Sequence, residues 1–227
     1  MKLRYFGHSA FEIKTEDFVL LIDPFISGNS STEVRPDELN PDYILVTHGH
    51  QDHIGDTLEL AKDNKATVIA PFELAGYCEE RGASIHPMHI GGSFDFDFGT
   101  VKLTAAQHGS AVPGENGPIY TGMPCGFLIT IEGKTIYHAG DTGLFGDMEL
   151  YGKYNDIDIA ILPIGGNFTM NIKDALIAAD MLSAKAYIPM HYNTFDVIKA
   201  KPTEFADGIK QKGYEAIVIP YDDTIEI

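Results

Sequence analysis

The order of candidate elements along the chain predicts an α/β fold of two packed sheets with helices outside, an αββα sandwich. Three observations predict it. Each half of the chain opens with several short strands and then passes into strand–helix alternation. No Pro/Gly/Ser linker, low-complexity tract or short-period repeat divides the 227 residues, so one domain spanning residues 1–227 is expected. Apolar residues make up 44% and charged residues 22%, the composition of a chain able to bury a sizeable core.

The first half is β-rich at its start. Leu3 to Phe6, Ala10 to Lys14 and Phe18 to Ile22 are branched or aromatic runs separated by turn residues. Ser27 to Pro41 is polar, with Gly, Asn, Ser and two prolines, and reads as a long surface loop of the kind that often carries function. Tyr43 to Val46 is a short apolar run, a buried strand. Asp56 to Asn64 then reads as a helix, Ala66 to Ala70 as a strand, and Pro71 to Arg81 as a helix with proline in its first turn and Gly82 past its end.

The second half repeats the plan. Phe94 to Phe98 alternates strictly with aspartate, which predicts a half-buried strand. Val101 to Ala106, Gly126 to Ile131 and Thr135 to Tyr137 continue the sheet, the last two joined by a Glu132-Gly133 turn. Ile157 to Leu162 is a further strand. Ile172, Ala175, Leu176 and Ala179 follow helical spacing behind Asn171 as N-cap. Strand Ala186 to Met190, helix Pro202 to Lys212 and strand Ala216 to Ile219 close the chain.

Charge narrows the function classes. Thirty-three Asp and Glu against sixteen Lys and Arg give a net charge of −17, and the sequence contains no strong basic cluster. Such a surface repels phosphate backbones and anionic lipid, so neither a nucleic acid nor a membrane is expected as partner. The longest purely aliphatic and aromatic run, Phe18 to Ile22, is far shorter than a membrane span. Met1 to His8 is not followed by the apolar stretch of a signal peptide. Cys78 and Cys125 form no zinc or redox spacing, which suggests reduced, buried thiols and a cytoplasmic location.

The chemistry concentrates in Thr47-His48-Gly49-His50-Gln51-Asp52-His53, directly after the buried strand. In an extended segment side chains alternate, so His48 and His50 can point the same way. The turn that follows can carry Asp52 and His53 round to a neighbouring point. This suits two close metal ions, with Gly49 and Gly55 leaving room for close approach. Three other places offer ligands just past a strand: His108, Asp141 and His191.

The set His-x-His-x-Asp-His, then His, Asp and His resembles that of the metallo-β-lactamase superfamily across nearly the whole chain. The resemblance implies a four-layer αββα sandwich of two mixed sheets with helices on the outer faces. It implies His48, His50 and His108 on one metal, Asp52, His53 and His191 on the other, and Asp141 bridging both. Tyr5 to Phe11 and Pro163 to Met170 are similar to one branch of metal-dependent hydrolases that also resembles L-ascorbate-6-phosphate lactonase. His50 stands where the superfamily's di-iron oxygen reductases carry Glu, and no flavodoxin-like domain follows, which argues for hydrolysis rather than redox chemistry. No cysteine lies among the ligands, and the chain has no room for the extra helical domain of the thioesterase branch or the large insertion of the nucleolytic branch.

Nitrogen and oxygen ligands suit two divalent ions: Zn first, with Mn, Fe, Co or Ni also compatible. The expected reaction is attack of a bridging hydroxide on an ester-like bond, a lactone among the candidates, of a small-molecule substrate. Asp52 is expected to orient that hydroxide and take its proton. A phosphodiesterase using the same metals is the alternative, and a non-catalytic metal-binding oligomer a third reading. Exposed apolar surface could support a homo-oligomer.

Several weaker candidates keep two readings. His8 is a contact near the site or a hairpin residue, and His138 a support for a ligand or a buried strand histidine. Asp23 is a hydrogen-bond partner of a ligand histidine or an ordinary strand-end turn residue. Tyr192 and Asn193 could reach a substrate oxyanion. Gly165-Gly166-Asn167 could offer backbone N–H groups to an anion, or simply form a turn feeding the N-cap. His86 and His89 carry no matching motif and read as structural or surface residues.

Overall fold

The computed structural model describes residues 1–227. The chain folds as two compact units, the first made of Met1–Gly92, Gly109–Pro124 and Ile219–Ile227, the second of Ser93–His108 and Cys125–Val218. Unit 1 begins with β1 (Lys2–Gly7), β2 (Ala10–Lys14), β3 (Val19–Ile22) and β4 (Tyr43–Leu45). It continues with α1 (Gln51–Ile54), α2 (Thr57–Asn64), β5 (Thr67–Pro71), α3 (Phe72–Glu79) and β6 (Ser84–Met88). The chain then contributes β7 (Ser93–Phe96) and β8 (Gly99–Ala105) to unit 2 and the hairpin β9 (Ala111–Val112) and β10 (Ile119–Tyr120) to unit 1. Unit 2 resumes with β11 (Cys125–Ile131), β12 (Lys134–His138), α4 (Met148–Tyr154) and β13 (Ile159–Pro163). It is completed by α5 (Ile172–Leu182), β14 (Ala186–Met190), α6 (Pro202–Gln211) and β15 (Glu215–Ala216), and β16 (Thr224–Glu226) closes unit 1.

Each unit holds one seven-stranded mixed sheet. In unit 1 the order is β16-β1-β2-β3-β4-β5-β6, antiparallel up to β3 and parallel from β3 to β6. In unit 2 it is β15-β14-β13-β12-β11-β8-β7, parallel from β15 to β12 and antiparallel beyond. Parallel neighbours need a crossover, and helices α2 to α6 supply it for every parallel pair except β3 and β4, as the alternating half of each pattern requires. The core of unit 1 sets Ile44, Val46, Val68 and Ala70 of the strand segments against Leu60 and Leu74 of α2 and α3. In unit 2, Ala175, Ala178, Ala179 and Leu182 form the buried stripe of α5, and Phe205, Ala206 and Ile209 that of α6.

Local signals account for most element ends. Asn171 Oδ1 accepts the Asp174 N–H at 3.0 Å and starts α5, and Pro202 opens α6. Glu132 (φ 49°) and Gly133 (φ 74°) make the two-residue turn between β11 and β12. Three expectations need correction. The Phe94 to Phe98 run is not a half-buried strand: β7 stops at Phe96 and lies on the sheet edge, where Phe94 is 46% exposed and the aromatic rings pack on one another. The helix expected over Pro71 to Arg81 is α3 alone, because Pro71 is still the last residue of β5. The last expected strand shrinks to β15, since the chain has passed to unit 1 by Ile219. Strand β6, helix α4 and the β9–β10 hairpin carry too little periodicity to be read from sequence.

Neither cysteine is in a disulfide and both are buried; burial pushes the Cys78 thiol up to about 11, so it stays protonated at neutral pH. No helix is long and apolar enough to cross a membrane.

Candidate metal centre

Strand direction decides where the candidate ligands emerge. In unit 1, β1, β3 and β4 run the same way, two antiparallel steps separating β1 from β3. Their carboxyl ends therefore share one edge, which carries His8, Asp23 and the segment Thr47 to His53. In unit 2, two antiparallel steps from β8 to β12 and two parallel steps from β12 to β14 do the same. That edge carries His108, Asp141 and His191.

The unit 1 donors are oriented from behind by one buried carboxylate. Asp23 Oδ2 accepts from His53 Nδ1 at 2.7 Å and from the Thr47 hydroxyl at 2.7 Å, while its Oδ1 accepts the Thr47 N–H at 2.8 Å. Because that hydroxyl gives its proton to Asp23, it accepts from His48 Nδ1 at 2.9 Å. Both rings thus carry their proton on Nδ1 and turn the Nε2 lone pair away from the aspartate, the tautomer a metal ligand needs. Asp23, His48 and His53 present ligand atoms within 4.8 Å of one another. His48 Nε2 and His50 Nδ1 approach to 3.0 Å. Two nitrogens bound about 2.1 Å from one ion would sit roughly 3.0–3.4 Å apart, so this pair fits a shared divalent cation.

The loop between these rings is held by the β9–β10 hairpin. Ser110 Oγ accepts the Gly49 N–H at 3.1 Å and bonds Thr121 Oγ1 at 2.7 Å. A Cβ on Gly49 would lie 2.3 Å from Thr121 Oγ1, and one on Gly55 (φ 40°) 2.3 Å from the Pro24 carbonyl oxygen. Both glycines therefore serve the close approach expected of them. Asp52, half-buried on α1, bonds His8 Nε2 at 3.0 Å. His8 is fully buried with its ring edge-on to Phe25 and His53, and it stands in the turn between β1 and β2, so it is a hairpin residue that also contacts Asp52.

In unit 2, Asp141 gathers the set. Its Oδ2 lies 3.0 Å from His191 Nε2 and 3.5 Å from His108 Nε2. The loops that carry these groups are cross-linked: Thr142 Oγ1 accepts the Gln107 N–H at 2.9 Å and the Gly143 N–H donates to the Gln107 carbonyl at 3.1 Å. His138 Nδ1 accepts the Gly140 N–H at 3.2 Å, bracing the turn that presents Asp141. Three of these edge residues, His8 (φ 56°), Asp23 (φ 45°) and His191 (φ 53°), adopt the left-handed region, at roughly 1–2 kcal/mol each for a residue with a Cβ. Strain of this kind collects where side-chain direction matters more than backbone comfort.

The remaining candidates fall outside these sets. Gly165 to Asn171 is a closed turn, with Gly166 donating to Met170 and Gly165 bridged to Asn171, which favours the turn reading. Tyr192 is buried, and Asn193 Oδ1 accepts the Ala200 N–H at 3.0 Å to close its own loop. His89 is exposed and stacked on Phe72, and His86 lies on the edge strand β6. Sequence reasoning missed Thr47 and Ser110 as supports. Their position beside or opposite the histidine run was the available signal for Thr47 only.

All the donors are imidazole nitrogens or carboxylate oxygens, and the proton on each ring of the His48–His53 pair is directed away from its ligand face. The residues therefore fit divalent metal ions. A model of the β-lactamase superfamily domain matches residues 19–192. The chain belongs to the metallo-β-lactamase superfamily. It is 59% identical over 228 residues to a UPF0173 metal-dependent hydrolase of Anoxybacillus flavithermus, covering 100% of both chains. It is 53% identical over 229 residues to the corresponding protein of Bacillus subtilis, again over 100% of both. Among solved structures it is similar to Igni18, a metallo hydrolase of the archaeon Ignicoccus hospitalis, with TM-score 0.91, 35% identity and coverage of 100% of this chain and 98% of that one. These likenesses place the chain in a family of metal-dependent hydrolases of the metallo-β-lactamase fold.

Proposed function

We propose that His48, His50, Asp52, His53, His108, Asp141 and His191 act together as one dinuclear centre that hydrolyses an ester-like bond, a lactone among the candidates, in a small molecule. The observation that carries this reading is the position of Asp141. The superfamily pattern assigns His108 to one metal and His191 to the other, and a single Asp141 oxygen lies beside both rings. A carboxylate so placed is suited to bridge.

Two bound divalent ions, Zn first and Mn, Fe, Co or Ni next, would supply Lewis acidity for activating water and stabilising developing charge. The rest falls to the protein's side chains. His8 holds Asp52 Oδ2 at 3.0 Å, which fixes the carboxylate plane of the group that would orient the attacking water and accept its proton. Asp23 keeps the ligand faces of His48 and His53 constant through the reaction, so reorganisation at these two rings is small.

Metal content per chain, measured on the purified protein beside His48→Ala and Asp141→Ala, tests the centre. About two equivalents in the wild type, falling in both variants, is the expected outcome. One equivalent or none after refilling with each of the five metals overturns it. Matched panels of lactones and phosphodiesters then test the bond class: turnover of lactones is expected, and turnover of phosphodiesters alone replaces the ester reading by the phosphodiesterase one.

A further inference from the structure

Unit 2 contains an open cavity of about 690 Å³ that none of the seven proposed ligands lines. That size is in the range of small-molecule sites. Its walls come from the turn after β13, the start of α5 and the loop that leads from β14 into α6. All three follow parallel strands, so the cavity opens on the same edge of the sheet as Asp141 and His191. It adjoins the His191 turn directly. Gly165 and Asn193 line it, and a Cβ on Gly165 would lie 2.2 Å from the His191 carbonyl oxygen.

The chemistry of the lining is unlike the rest of the molecule. In a chain with 33 acidic and 16 basic residues, the cavity collects Lys173, Lys199 and Lys201 against one acid, Glu204. Lys199 is bonded to Asp196 at 2.7 Å, whereas Lys173 and Lys201 are in no ion pair. Two asparagines add donors of fixed direction. The Asn171 side-chain oxygen is occupied by the Asp174 N–H and that of Asn193 by the Ala200 N–H, which leaves each amide NH₂ as the group offered to a ligand. The first backbone N–H groups of α5, at Ile172 and Lys173, have no acceptor within the helix and point the same charge sense outward. Ile164 and Ile172 complete the wall with apolar surface.

We infer that this cavity is an anion-binding subsite that seats a phosphate or carboxylate group carried by the substrate. The inference rests on the hydrolase reading above for the location of the cleaved bond. The charge pattern itself stands without it. An ester whose far end bears the anion would be gripped by the lysines and amides while its reactive carbonyl lies toward the Asp141–His191 edge.

The test uses zinc-loaded, ¹⁵N-labelled protein titrated with methyl phosphate and with acetate, following the side-chain amides of Asn171 and Asn193 by NMR. Saturable shifts at both amides are expected, weakened at least about tenfold in the Lys173→Gln/Lys201→Gln variant. Lys210→Gln, on the exposed last turn of α6, should leave them as they are. The probe that binds more tightly names the substrate's anion. Amides that do not respond, or respond alike in the double variant, overturn the subsite. The second arm compares kcat/KM for mono-p-nitrophenyl succinate and p-nitrophenyl acetate. The preference for the anionic ester should fall about tenfold in the double variant, and an unchanged preference overturns the assignment to substrate. A wild-type protein that responds to the anion but cleaves neither ester refutes the ester reading and leaves the anion site standing.

Discussion

The two groups of candidate donors, one in each unit, are held in different ways. In unit 1 the donors lie within six consecutive residues, and adjacent rings on so short a segment would swing freely without side-chain restraint. Asp23, Thr47 and Ser110 provide it, each bonded to the segment from behind. In unit 2 the donors come from the ends of three separate strands, and each enters on a rigid scaffold. There the restraint ties loop to loop: the Gln107 backbone is bonded to the Thr142 hydroxyl and to the Gly143 N–H, which joins the His108 and Asp141 loops. A contiguous motif needs its rings locked. A dispersed one needs its loops locked.

Asp23→Ala tests the first half of this comparison and should have the largest effect. It removes the acceptor for His53 and Thr47 together and, through Thr47, frees His48. Metal affinity should fall by about 10–100-fold, read by chelator competition, with Asp23→Asn losing less because one acceptor oxygen remains. An unchanged affinity would break the comparison. Thr142→Val addresses the second half. It leaves the Gln107 N–H without its acceptor, and the expected cost is roughly 1–3 kcal/mol in urea unfolding, with a smaller loss of metal affinity than Asp23→Ala.

Asp158→Asn sharpens the contrast from a place that supports neither half. Asp158 accepts from the Thr135 N–H and from Lys185, each at 2.8 Å, tying the start of β12 to the segments before β13 and β14. Burial alone would raise its carboxyl, but these bonds outweigh burial and hold it below the usual carboxylate range. A depressed carboxylate contributes stability that is complete above its unfolded value and lost as pH falls through the folded one. The variant should therefore be less stable by about 1 kcal/mol at neutral pH, with the gap closing in acid. Its metal content should match the wild type. Urea titrations at both pH values and metal analysis check this.

The legible part of the fold was the part whose apolar spacing is regular. Helix α5 shows this, with its Asn171 cap and its stripe of Ala175, Ala179 and Leu182, as does the Glu132-Gly133 hairpin. The aromatic run Phe94 to Phe98 misled, because strict alternation looks the same on a half-buried strand and on an edge strand whose rings pack on each other. Strand β6, which contains His86 and Pro87, has no alternation to detect and is recognised only by its pairing with β5.

The sequence by itself determined the chemistry of the candidate donors: imidazole nitrogens and carboxylate oxygens in the segments that follow strands, with glycines where the chain must pass closely. The tertiary structure alone decided which nitrogen of His48 and of His53 faces outward, because that depends on Asp23 at the end of one strand meeting Thr47 and His53 beyond the end of another. It alone decided that His8 rests on Asp52, since a left-handed residue at a hairpin has no periodic signature. It also brought Lys173 beside Lys199 and Lys201, more than twenty residues further along the chain, in one cavity of an acidic protein. Residue type sets what a group can bind. Strand direction and loop closure set what it stands beside.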